Sequence, residues 1–302
     1  MQISRRVFLS TIPAGAVVAG ITRGAEGAWR PFADAAATGL HIGCQTNAWP
    51  LKAGDFPQFL GVLRTLKGLG FEGFETSFRN VQAQYATAAA ARAQIEQTGL
   101  ACFGVHIFLN DYDPVTHVPP MDLVKATADG TAALGCRRVI VSGGGLVKDD
   151  KVDPQTLAAK VAGLNAAAKY CHDKGLEFAY HNHGPEFAAG GAEINGLIKG
   201  TDPALVGFLL DAGHAYRAKV DLAAFFTKNR ARLVGMHLRD FKGEPQVPLG
   251  QGEVDWKPLA AAVKTTGWSG WVLAEEERAD GSKPGESAAA PARDTLRTLF
   301  GR

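Results

Sequence analysis

Four side chains of types that bind divalent metal ions follow four successive apolar segments of the sequence. These residues are His181, Asp211, His237 and Glu275, and each stands at the end of a short apolar run. If the runs are parallel strands of one sheet, their carboxyl ends lie at one edge and the four side chains meet there. A site with two imidazoles and two carboxylates suits Mn²⁺, Fe²⁺, Co²⁺ or Zn²⁺ better than Ca²⁺. The pattern therefore indicates a metal-dependent enzyme.

Each of these residues also has a simpler explanation when it is considered alone. A histidine in an apolar strand is often only hydrogen-bonded in the core, and Asp211 could be the N-cap of a helix. Glu275 begins a run of three carboxylates that could be solvated at a strand end. The metal site is favoured because an aspartate directly after a buried run is costly unless it is paired or bound to a cation.

Further polar residues lie at or beside the same segment ends. His183 is two residues beyond His181 and therefore shares its face of the strand. We expect Glu275 to act as ligand and base, with His106 or His183 as the second acid or base. A buried structural hydrogen bond remains an equal alternative for His106. Substrate contacts are expected from Glu75, His214 and Arg239, with a structural hydrogen bond open for the first and a surface ion pair with Asp240 for the last.

Apolar strand segments alternate with helical segments along the whole chain, which is typical of a parallel sheet covered by helices. Eight such units predict a closed (β/α)₈ barrel, the TIM barrel of the α/β class, as a single domain over residues 38–302. An open doubly wound sheet is the alternative, but its site would lie at one crevice instead of at many strand ends. The predicted strands are His41–Gln45, Gly73–Thr76, Ala101–His106, Arg138–Ser142, Glu177–His181, Val206–Asp211, Leu233–Leu238 and Trp271–Glu275.

Helices are predicted between the strands from apolar spacings of three and four residues. Several of these segments end at a glycine of the kind that closes a helix in left-handed geometry, namely Gly70, Gly99, Gly135, Gly175 and Gly267. The predicted helices are Asp55–Leu69, Val81–Thr98, Met121–Leu134, Pro154–Lys174, Ala192–Lys199, Asp221–Asn229, Trp256–Thr266 and Ser287–Leu299.

The first 37 residues have the features of a twin-arginine (Tat) export signal. Arg5 and Arg6 precede Phe8 and Leu9, and a short apolar stretch follows. The stretch is too short and too rich in glycine and alanine for a stable membrane anchor. We expect recognition by the Tat export machinery, cleavage near Ala37 and a periplasmic mature protein. A basic, disordered N-terminus is the alternative.

Charge and cysteine content narrow the class further. The chain has 32 basic and 30 acidic residues, and the excess lies in residues 1–37, so the mature domain has no net charge. This balance argues against a nucleic-acid partner. An oxidising compartment permits disulfides, but we expect Cys44, Cys102, Cys136 and Cys171 to be buried free thiols, with a Cys136–Cys171 bridge as the alternative.

At these residues the sequence resembles the sugar phosphate isomerase/epimerase family, whose fold is a xylose isomerase-like TIM barrel. The resemblance covers the whole mature region. It rests on the motifs Gly-Phe-Glu-Gly-Phe-Glu (70–75), Tyr-His-Asn-His (180–183), Leu-Asp-Ala-Gly-His (210–214), His-Leu-Arg-Asp (237–240), Gly-Gln-Gly-Glu-Val-Asp (250–255) and Gly-Trp-Val-Leu-Ala-Glu (270–275).

The resemblance implies one divalent metal ion bound by the residues that match His181, Asp211, His237 and Glu275. Mn²⁺ is the leading candidate, with Zn²⁺, Co²⁺, Fe²⁺ or Mg²⁺ open. One departure matters, because epimerases of this family typically have a glutamate where this chain has His181. An imidazole that coordinates a metal through its lone pair is no longer a free base, so epimerisation by two carboxylates is in doubt.

The expected reaction is isomerisation or epimerisation of a free sugar or keto-sugar by proton abstraction next to a carbonyl, through a metal-stabilised enediolate. The first alternative is a lyase, dehydratase or glycoside-cleaving enzyme that eliminates a group β to the carbonyl of a 3-keto sugar. The second is a non-catalytic periplasmic sugar-binding protein. A DNA-repair nuclease on the same barrel is disfavoured by the neutral charge. A homo-oligomer remains open.

Overall fold

The structure is a computed structural model that describes residues 39–278 and 280–302. The export signal predicted for residues 1–37 lies outside the described residues. Within the described part of the chain, no helix combines the length and the apolar character needed to cross a bilayer.

Eight parallel strands close into a barrel, as the sequence predicts. Each strand pairs with the barrel strands before and after it in the chain, and the last pairs with the first. The barrel strands are β1 (Leu40–Gln45), β2 (Gly73–Ser77), β3 (Ala101–Ile107), β4 (Arg138–Val141), β5 (Glu177–His181), β6 (Gly207–Asp211), β7 (Leu233–Leu238) and β10 (Gly270–Ala274). These bounds agree with the predicted strands to within one residue at either end. A short hairpin of β8 (Asp240–Phe241) and β9 (Gln246–Val247) follows β7.

Helices form the outer layer of the barrel. Several begin at an aspartate whose side chain accepts a hydrogen bond from a backbone N–H of the first turn, as Asp55, Asp153 and Asp221 do. Gly70 and Gly267 end two of them with φ of 87° and 61°. The helices are α1 (Phe56–Leu69), α2 (Phe78–Val81), α3 (Ala88–Glu96), α4 (Met121–Ala133), α5 (Pro154–Asp173), α6 (Ala188–Gly200), α7 (Ala212–Arg217), α8 (Leu222–Asn229), α9 (Lys257–Thr266) and α10 (Glu286–Phe300).

Two helical predictions differ from the structure. The helix predicted at Val81–Thr98 is broken by a 3₁₀ segment, Gln82–Thr87, between α2 and α3. Within it the ring of Tyr85 lies so close to Gly130 of α4 that a β-carbon there would come within 2.4 Å of the ring. This tertiary contact overrides the helical propensity of the alanine-rich segment. The second difference is α7, which the sequence interpretation considered only as a cap at Asp211.

The core has two parts. One fills the space between the strands and the helices. The other lies inside the barrel and forms an apolar plug that consists of Phe103, Ile140, Ala179, Leu209, Trp271 and Leu273. Gly235 makes room for this plug, because a β-carbon there would lie 2.8 Å from the Phe103 ring. The barrel interior is therefore closed by packed side chains below the strand ends.

The prediction of buried free thiols was wrong for Cys102 and Cys136 and is confirmed for Cys44 and Cys171. Cys102 and Cys136 form a disulfide with Cα atoms 5.1 Å apart, whereas Cys44 and Cys171 are free and buried. The reason is the register of β3 and β4, which pairs residues that are 34 positions apart, such as Val105 and Val139. The two bridged cysteines have the same separation of 34 and stand opposite each other in the extension of this register.

Candidate metal centre

The strand period places the polar site directly above the apolar plug. Side chains two positions apart point to the same face of a strand, so Ala179 is followed by His181 and Leu209 by Asp211 on the interior face. On β10 the same spacing of two residues leads from Leu273 of the plug to Glu275, which directly follows the strand. The site is thus built on rigid strands at the carboxyl end of the barrel, where TIM-barrel enzymes carry their chemistry.

The four predicted ligands converge. One donor atom from each of His181, Asp211, His237 and Glu275 lies within 4.8 Å of the others, and all four residues are buried. The Nε2 of His181 is 3.6 Å from Asp211 Oδ2 and 3.8 Å from Glu275 Oε2, and the Nδ1 of His237 is 2.6 Å from Glu275 Oε2. Donor atoms this close together can contact one cation.

Asp211 has a separate role for each of its oxygens. Its Oδ1 accepts a hydrogen bond of 2.8 Å from the backbone N–H of His214 and caps α7. The side chain of Asn182 fixes the backbone of the aspartate through bonds at 3.0 and 3.2 Å. The Oδ2 is buried and accepts no well-aligned hydrogen bond from the described residues, although the guanidinium of Arg239 lies 2.6 Å from it as an ion pair. The helix cap and the metal ligand are therefore both compatible with this one residue.

His237 is held from behind by a carboxylate. Its Nε2 lies 2.7 Å from Oε2 of Glu75, so Nδ1 faces the cluster. The Oε1 of Glu75 lies 2.8 Å from Nδ1 of His106, whose Nε2 is 2.9 Å from the Ser142 hydroxyl. A carboxylate behind a ligating histidine fixes the ring and raises its basicity in metal sites.

Glu75 and His106 are therefore fully engaged beneath the cluster. Both are buried, both oxygens of Glu75 contact imidazoles, and both nitrogens of His106 have partners. This geometry favours an orienting role over the substrate contact predicted for Glu75 and over the acid–base role predicted for His106.

The other two ligands are held in the same manner. The Nδ1 of His181 lies 3.4 Å from the Ser142 hydroxyl, which leaves Nε2 turned to the cluster. The Oε1 of Glu275 accepts a hydrogen bond of 3.1 Å from the side chain of Asn47, which leaves Oε2 facing inward. Each ligand thus has one atom tied to the protein and one atom directed at a common point.

Arg239 lies inside the cluster and not at the surface. Its Nη2 is 2.6 Å from Asp211 Oδ2 and donates to Oε2 of Glu275, and its Nη1 donates to Glu277 at 3.2 Å. Gly213 is required for this arrangement, because a β-carbon there would lie 2.1 Å from Cγ of Arg239. The surface ion pair considered for Arg239 and Asp240 is not formed.

The charge of the cluster fits a divalent cation. Burial opposes ionisation, but the cationic and imidazole neighbours hold the pKa values of Glu75, Asp211 and Glu275 below their ordinary values. Arg239 is the one permanently charged cation that contacts Asp211 and Glu275 in the described structure. With neutral imidazoles, these three carboxylates and Arg239 leave two negative charges unbalanced.

The pKa of His237 reflects the same excess of negative charge in the cluster. Burial alone would lower the pKa of His237, but the carboxylates of Glu275 and Glu75 raise it to about 10. The imidazole coordinates a metal only as the neutral base. A divalent cation at the common point would replace this proton as the balancing charge, so the residues present fit such an ion.

His183 and His214 stand between the cluster and the solvent. Their rings are 5.0 Å apart, and the ring of His183 is 5.0 Å from that of His181. Burial lowers the pKa of His183 to about 2 and also lowers the pKa of His214, so both imidazoles are neutral. The Nδ1 of His183 and the Nε2 of His214 are buried without hydrogen-bond partners among the described residues. They are therefore available to a bound molecule.

The loop after β7 covers one side of the site. The carboxylate of Asp240 accepts backbone hydrogen bonds from Gly250 at 3.0 Å and Val254 at 3.1 Å and so organises the Gly250–Asp255 segment. The side chain of Gln246 donates to the backbone carbonyl of Glu275 at 2.8 Å. The hairpin thereby fixes the backbone of a ligand residue.

Several supporting residues were missed by the sequence interpretation. Asn182 lies inside the His-Asn-His cluster, where the pattern drew attention only to the histidines, and Ser142 was placed only as a strand end. Asn47 lies in a 3₁₀ turn directly after β1 and Gln246 in the two-residue strand β9, and nothing in their local sequence marks them. Residues in such short segments, distant in sequence from the residues they orient, carry no periodic signal, so only the folded structure identifies them.

The fold and the site together define a known class. A model of the family described as "xylose isomerase-like TIM barrel" matches residues 63–299. Since this is more than half of the chain, the protein belongs to that family.

Named relatives include a dehydratase and an epimerase. An inosose dehydratase of Salmonella agona is 29% identical over 136 residues, which are 38% of this chain and 45% of that protein. The chain thus aligns with less than half the length of this curated relative. A sugar phosphate isomerase/epimerase of Parabacteroides distasonis has a TM-score of 0.67 at 21% identity, with 84% of this chain and 96% of that chain covered.

A 3-keto-D-glucoside 4-epimerase of E. coli has a TM-score of 0.65 at 17% identity, with 87% of this chain and 100% of that chain covered. At such identities these structural likenesses establish the fold alone. Because similar barrels are named as epimerases and as dehydratases, the fold does not decide between these reactions.

Proposed function

We propose that the protein is a divalent-metal-dependent lyase that acts on a sugar or another polyhydroxylated ring bearing a carbonyl group. The observation that carries the proposal is the buried cluster of four convergent donor atoms with two unbalanced negative charges, beside two unpartnered imidazoles. Its mixed nitrogen and oxygen donors suit Mn²⁺, Fe²⁺, Co²⁺ or Zn²⁺, and the resemblance to the sugar phosphate isomerase/epimerase family makes Mn²⁺ the leading candidate, with Mg²⁺ also open.

His181, Asp211, His237 and Glu275 would hold a divalent cation, which when bound would supply Lewis-acid polarisation of the substrate carbonyl and a positive charge beside the developing enediolate. The protein supplies the proton transfer. Neutral His183 accepts the proton from the carbon next to the carbonyl through its unpartnered Nδ1, and the C–H electron pair moves towards the carbonyl to give the enediolate. Burial keeps the pKa of His183 low in the free protein, so the negative charge of the enediolate beside it is what stabilises the imidazolium. The carbonyl then re-forms, the electron pair becomes the double bond between the α- and β-carbons, and the bond to the β-oxygen breaks with its pair on that oxygen, to which the imidazolium returns the proton.

Elimination is preferred over epimerisation because the site offers few side chains that are free to act as bases. Epimerisation through two carboxylates needs a basic group on each side of the carbon, and the position expected for one of them is His181, whose Nε2 faces the cluster. Glu75 cannot replace it, since both its oxygens contact imidazoles. The same neutral base can perform both steps of an elimination on one face of the substrate.

Epimerisation is the second candidate. It is favoured by the separate positions of two acid-base groups, the unpartnered Nδ1 of His183 and Oε2 of Glu275, which contacts Arg239 and His237 within the cluster. If these groups lie on opposite sides of the bound carbon, one would remove the proton and the other would return one.

The test uses the full chain loaded with Mn²⁺ and incubated in D₂O with an inosose or a 3-keto-glucoside, followed by NMR. The lyase proposal predicts loss of water or of the alcohol with formation of an enone. Deuterium at the carbon next to the carbonyl without loss of a group would instead establish the epimerase. Tight binding with neither exchange nor elimination would leave a sugar-binding protein and refute both.

A histidine substitution identifies the base. His183→Gln is expected to reduce turnover by about 10²- to 10⁴-fold, the usual contribution of a positioned acid or base. His172→Gln is the matched control, because His172 is exposed at the far end of α5. Turnover by the His183 variant at the wild-type rate would remove His183 from the mechanism.

Periplasmic location by the Tat route is part of the same proposal. It is supported by the Arg5–Arg6 pair in the sequence and by the Cys102–Cys136 disulfide, since disulfides persist in oxidising compartments. Fractionation of cells that express the full chain tests it, and arginine-to-lysine substitution at positions 5 and 6 is expected to retain the protein in the cytoplasm.

A further inference from the structure

A cavity of about 610 Å³ opens beside the metal cluster on the side of His183 and His214. Apart from these two residues, the buried Glu186 and the exposed Arg217, its wall is mostly apolar. The side chains of Leu109, Pro185, Phe187, Ala188 and Ala218 contribute to it, together with glycine backbone. The volume lies within the range for drug-sized ligands and exceeds the need of a single sugar ring. Hydroxyl groups would find few partners along this wall.

The cavity meets the reactive centre at two unpartnered nitrogens. His183 and His214 both line it, and their free ring nitrogens are the buried Nδ1 and Nε2 described above. The His214 Nε2 lies 3.9 Å from Asp211 Oδ2, so a residue that lines the cavity is adjacent to a predicted metal ligand. A molecule with a polar ring at the cluster would direct one substituent past the imidazoles into the apolar space.

The wall of the cavity is built rigidly. Behind the Gly143–Leu146 segment lies an ion pair between Lys160 and Glu193, 2.6 Å long and with both side chains fully buried. The Lys160 Nζ donates to the Gly144 carbonyl at 2.9 Å, and the Leu146 N–H donates to Glu193 at 2.7 Å. A buried ion pair seldom adds net stability by itself. Here it holds the backbone of a loop in one position.

The adjoining His183–Glu186 segment is held in the same way. The Tyr180 hydroxyl donates to Glu186 Oε1 at 2.8 Å, and the other carboxyl oxygen accepts the backbone N–H of His183 at 3.1 Å. Buried polar contacts thus fix two neighbouring segments of the cavity wall. Such preformed apolar pockets with a few placed polar groups are typical of small-molecule sites.

We infer that the substrate carries an apolar group, an aglycone, on the reacting ring, and that this group occupies the cavity while the ring lies at the metal cluster. The inference rests on the proposed function and narrows its substrate to a keto-glycoside with an aryl or similarly apolar aglycone. In an elimination the aglycone oxygen is then the leaving group beside His183 and His214.

The test measures binding and not turnover. Phenyl β-glucoside and methyl β-glucoside lack the keto group and are titrated by calorimetry into the Mn²⁺-loaded full chain. Burial of one phenyl ring predicts that the phenyl glycoside binds about 10- to 100-fold more tightly. Equal affinities, or no measurable binding of the phenyl glycoside, would overturn the inference.

Variants in which a side chain fills the cavity provide a second test of the inference. Ala218→Phe and Ala188→Phe place a ring in the chamber, and in both variants the phenyl-to-methyl affinity ratio is expected to fall towards one. Ala261→Phe makes the same change on the exposed face of α9 and should keep the ratio. An unchanged ratio in both cavity variants, with circular dichroism that confirms folding, would also overturn the inference.

The two hypotheses fail in different ways. Proton exchange or elimination with an inosose, combined with equal affinities for the two glucosides, would refute the aglycone site and keep the proposed function. Selective binding of the phenyl glycoside without any exchange on the keto substrates would refute the proposed chemistry and leave the cavity as an aglycone-binding site.

Discussion

The two ends of the barrel use buried polar groups for opposite purposes. At the amino end, Arg138 donates to the Phe103 carbonyl at 2.9 Å and pairs with Glu177, and the Cys102–Cys136 disulfide joins neighbouring strands. Every one of these contacts links strand to strand. At the carboxyl end, the buried groups point to a common centre and leave donor atoms without protein partners.

The difference shows which end is arranged for stability and which for binding. Paired polar groups at the amino end hold the barrel closed, whereas the carboxyl end carries two unbalanced negative charges, of which a proton on His237 offsets one and a divalent cation would offset both. Unsatisfied buried polar groups destabilise a fold unless a ligand completes them. Substitutions at the two ends should therefore affect different properties.

The largest effect is expected at the carboxyl end, when a ligand is removed. Asp211→Ala or His237→Ala should abolish metal binding, with a loss greater than the 10- to 100-fold typical of an orienting partner, and should abolish activity. The barrel should persist. Elemental analysis and calorimetry with Mn²⁺ measure the first effect, and circular dichroism checks the second. Full metal occupancy in either variant would remove that residue from the ligand set.

The next largest effect concerns the amino end. Conversion of both Cys102 and Cys136 to serine should lower the free energy of unfolding by about 2–4 kcal/mol, the usual contribution of a disulfide. Metal affinity should stay at the wild-type value. Urea denaturation measures the loss, and a reductant should destabilise the wild type but not the double variant. If the reductant acts equally on both, the bridge is not the source of the stability.

A smaller effect depends on pH. Burial raises the pKa of Glu186 from 4.5 to about 7, so the folded state retains a proton that the unfolded carboxyl releases. This contribution is fully present below pH 4.5 and is lost as the pH rises to about 7, by about 3 kcal/mol in total. Glu186→Gln should flatten this fall between pH 4.5 and 7.5.

Urea denaturation at several pH values checks the Glu186 prediction, and Glu96→Gln on the exposed face of α3 is the control. A variant with the same pH dependence as the wild type would show that another group is responsible.

The smallest effect sharpens the comparison within the site. Glu75→Gln retains the shape of the side chain but weakens its hydrogen bond with His237 Nε2. The substitution should therefore reduce Mn²⁺ affinity by about 10- to 100-fold. Glu72→Gln is the matched control, since Glu72 lies three residues earlier and pairs with His41 at the partly exposed amino end. Equal affinities in the two variants would contradict the orienting role of Glu75.

The sequence predicted the barrel and the four convergent side chains well, because both depend on local periodicity. An apolar strand of period two that ends in a polar residue places that residue at the strand end whatever the rest of the chain does. His181 and Asp211 were therefore found from their own segments.

Contacts between distant segments were not predicted. The inward position of Arg239 depends on the small size of Gly213 in the first turn of α7. Lys160 has the sequence context of a surface residue on α5, and only the approach of Glu193 from α6 makes it a buried partner. The disulfide required the register of β3 and β4, which the strand bounds alone do not supply.

The central claim is that one divalent ion contacts His181, Asp211, His237 and Glu275 together. Anomalous X-ray diffraction from crystals of the full chain grown with Mn²⁺ tests it most directly. The prediction is a single anomalous peak at the carboxyl end of the barrel, in coordination contact with all four side chains. A peak elsewhere, or one that leaves any of the four without contact, would contradict it.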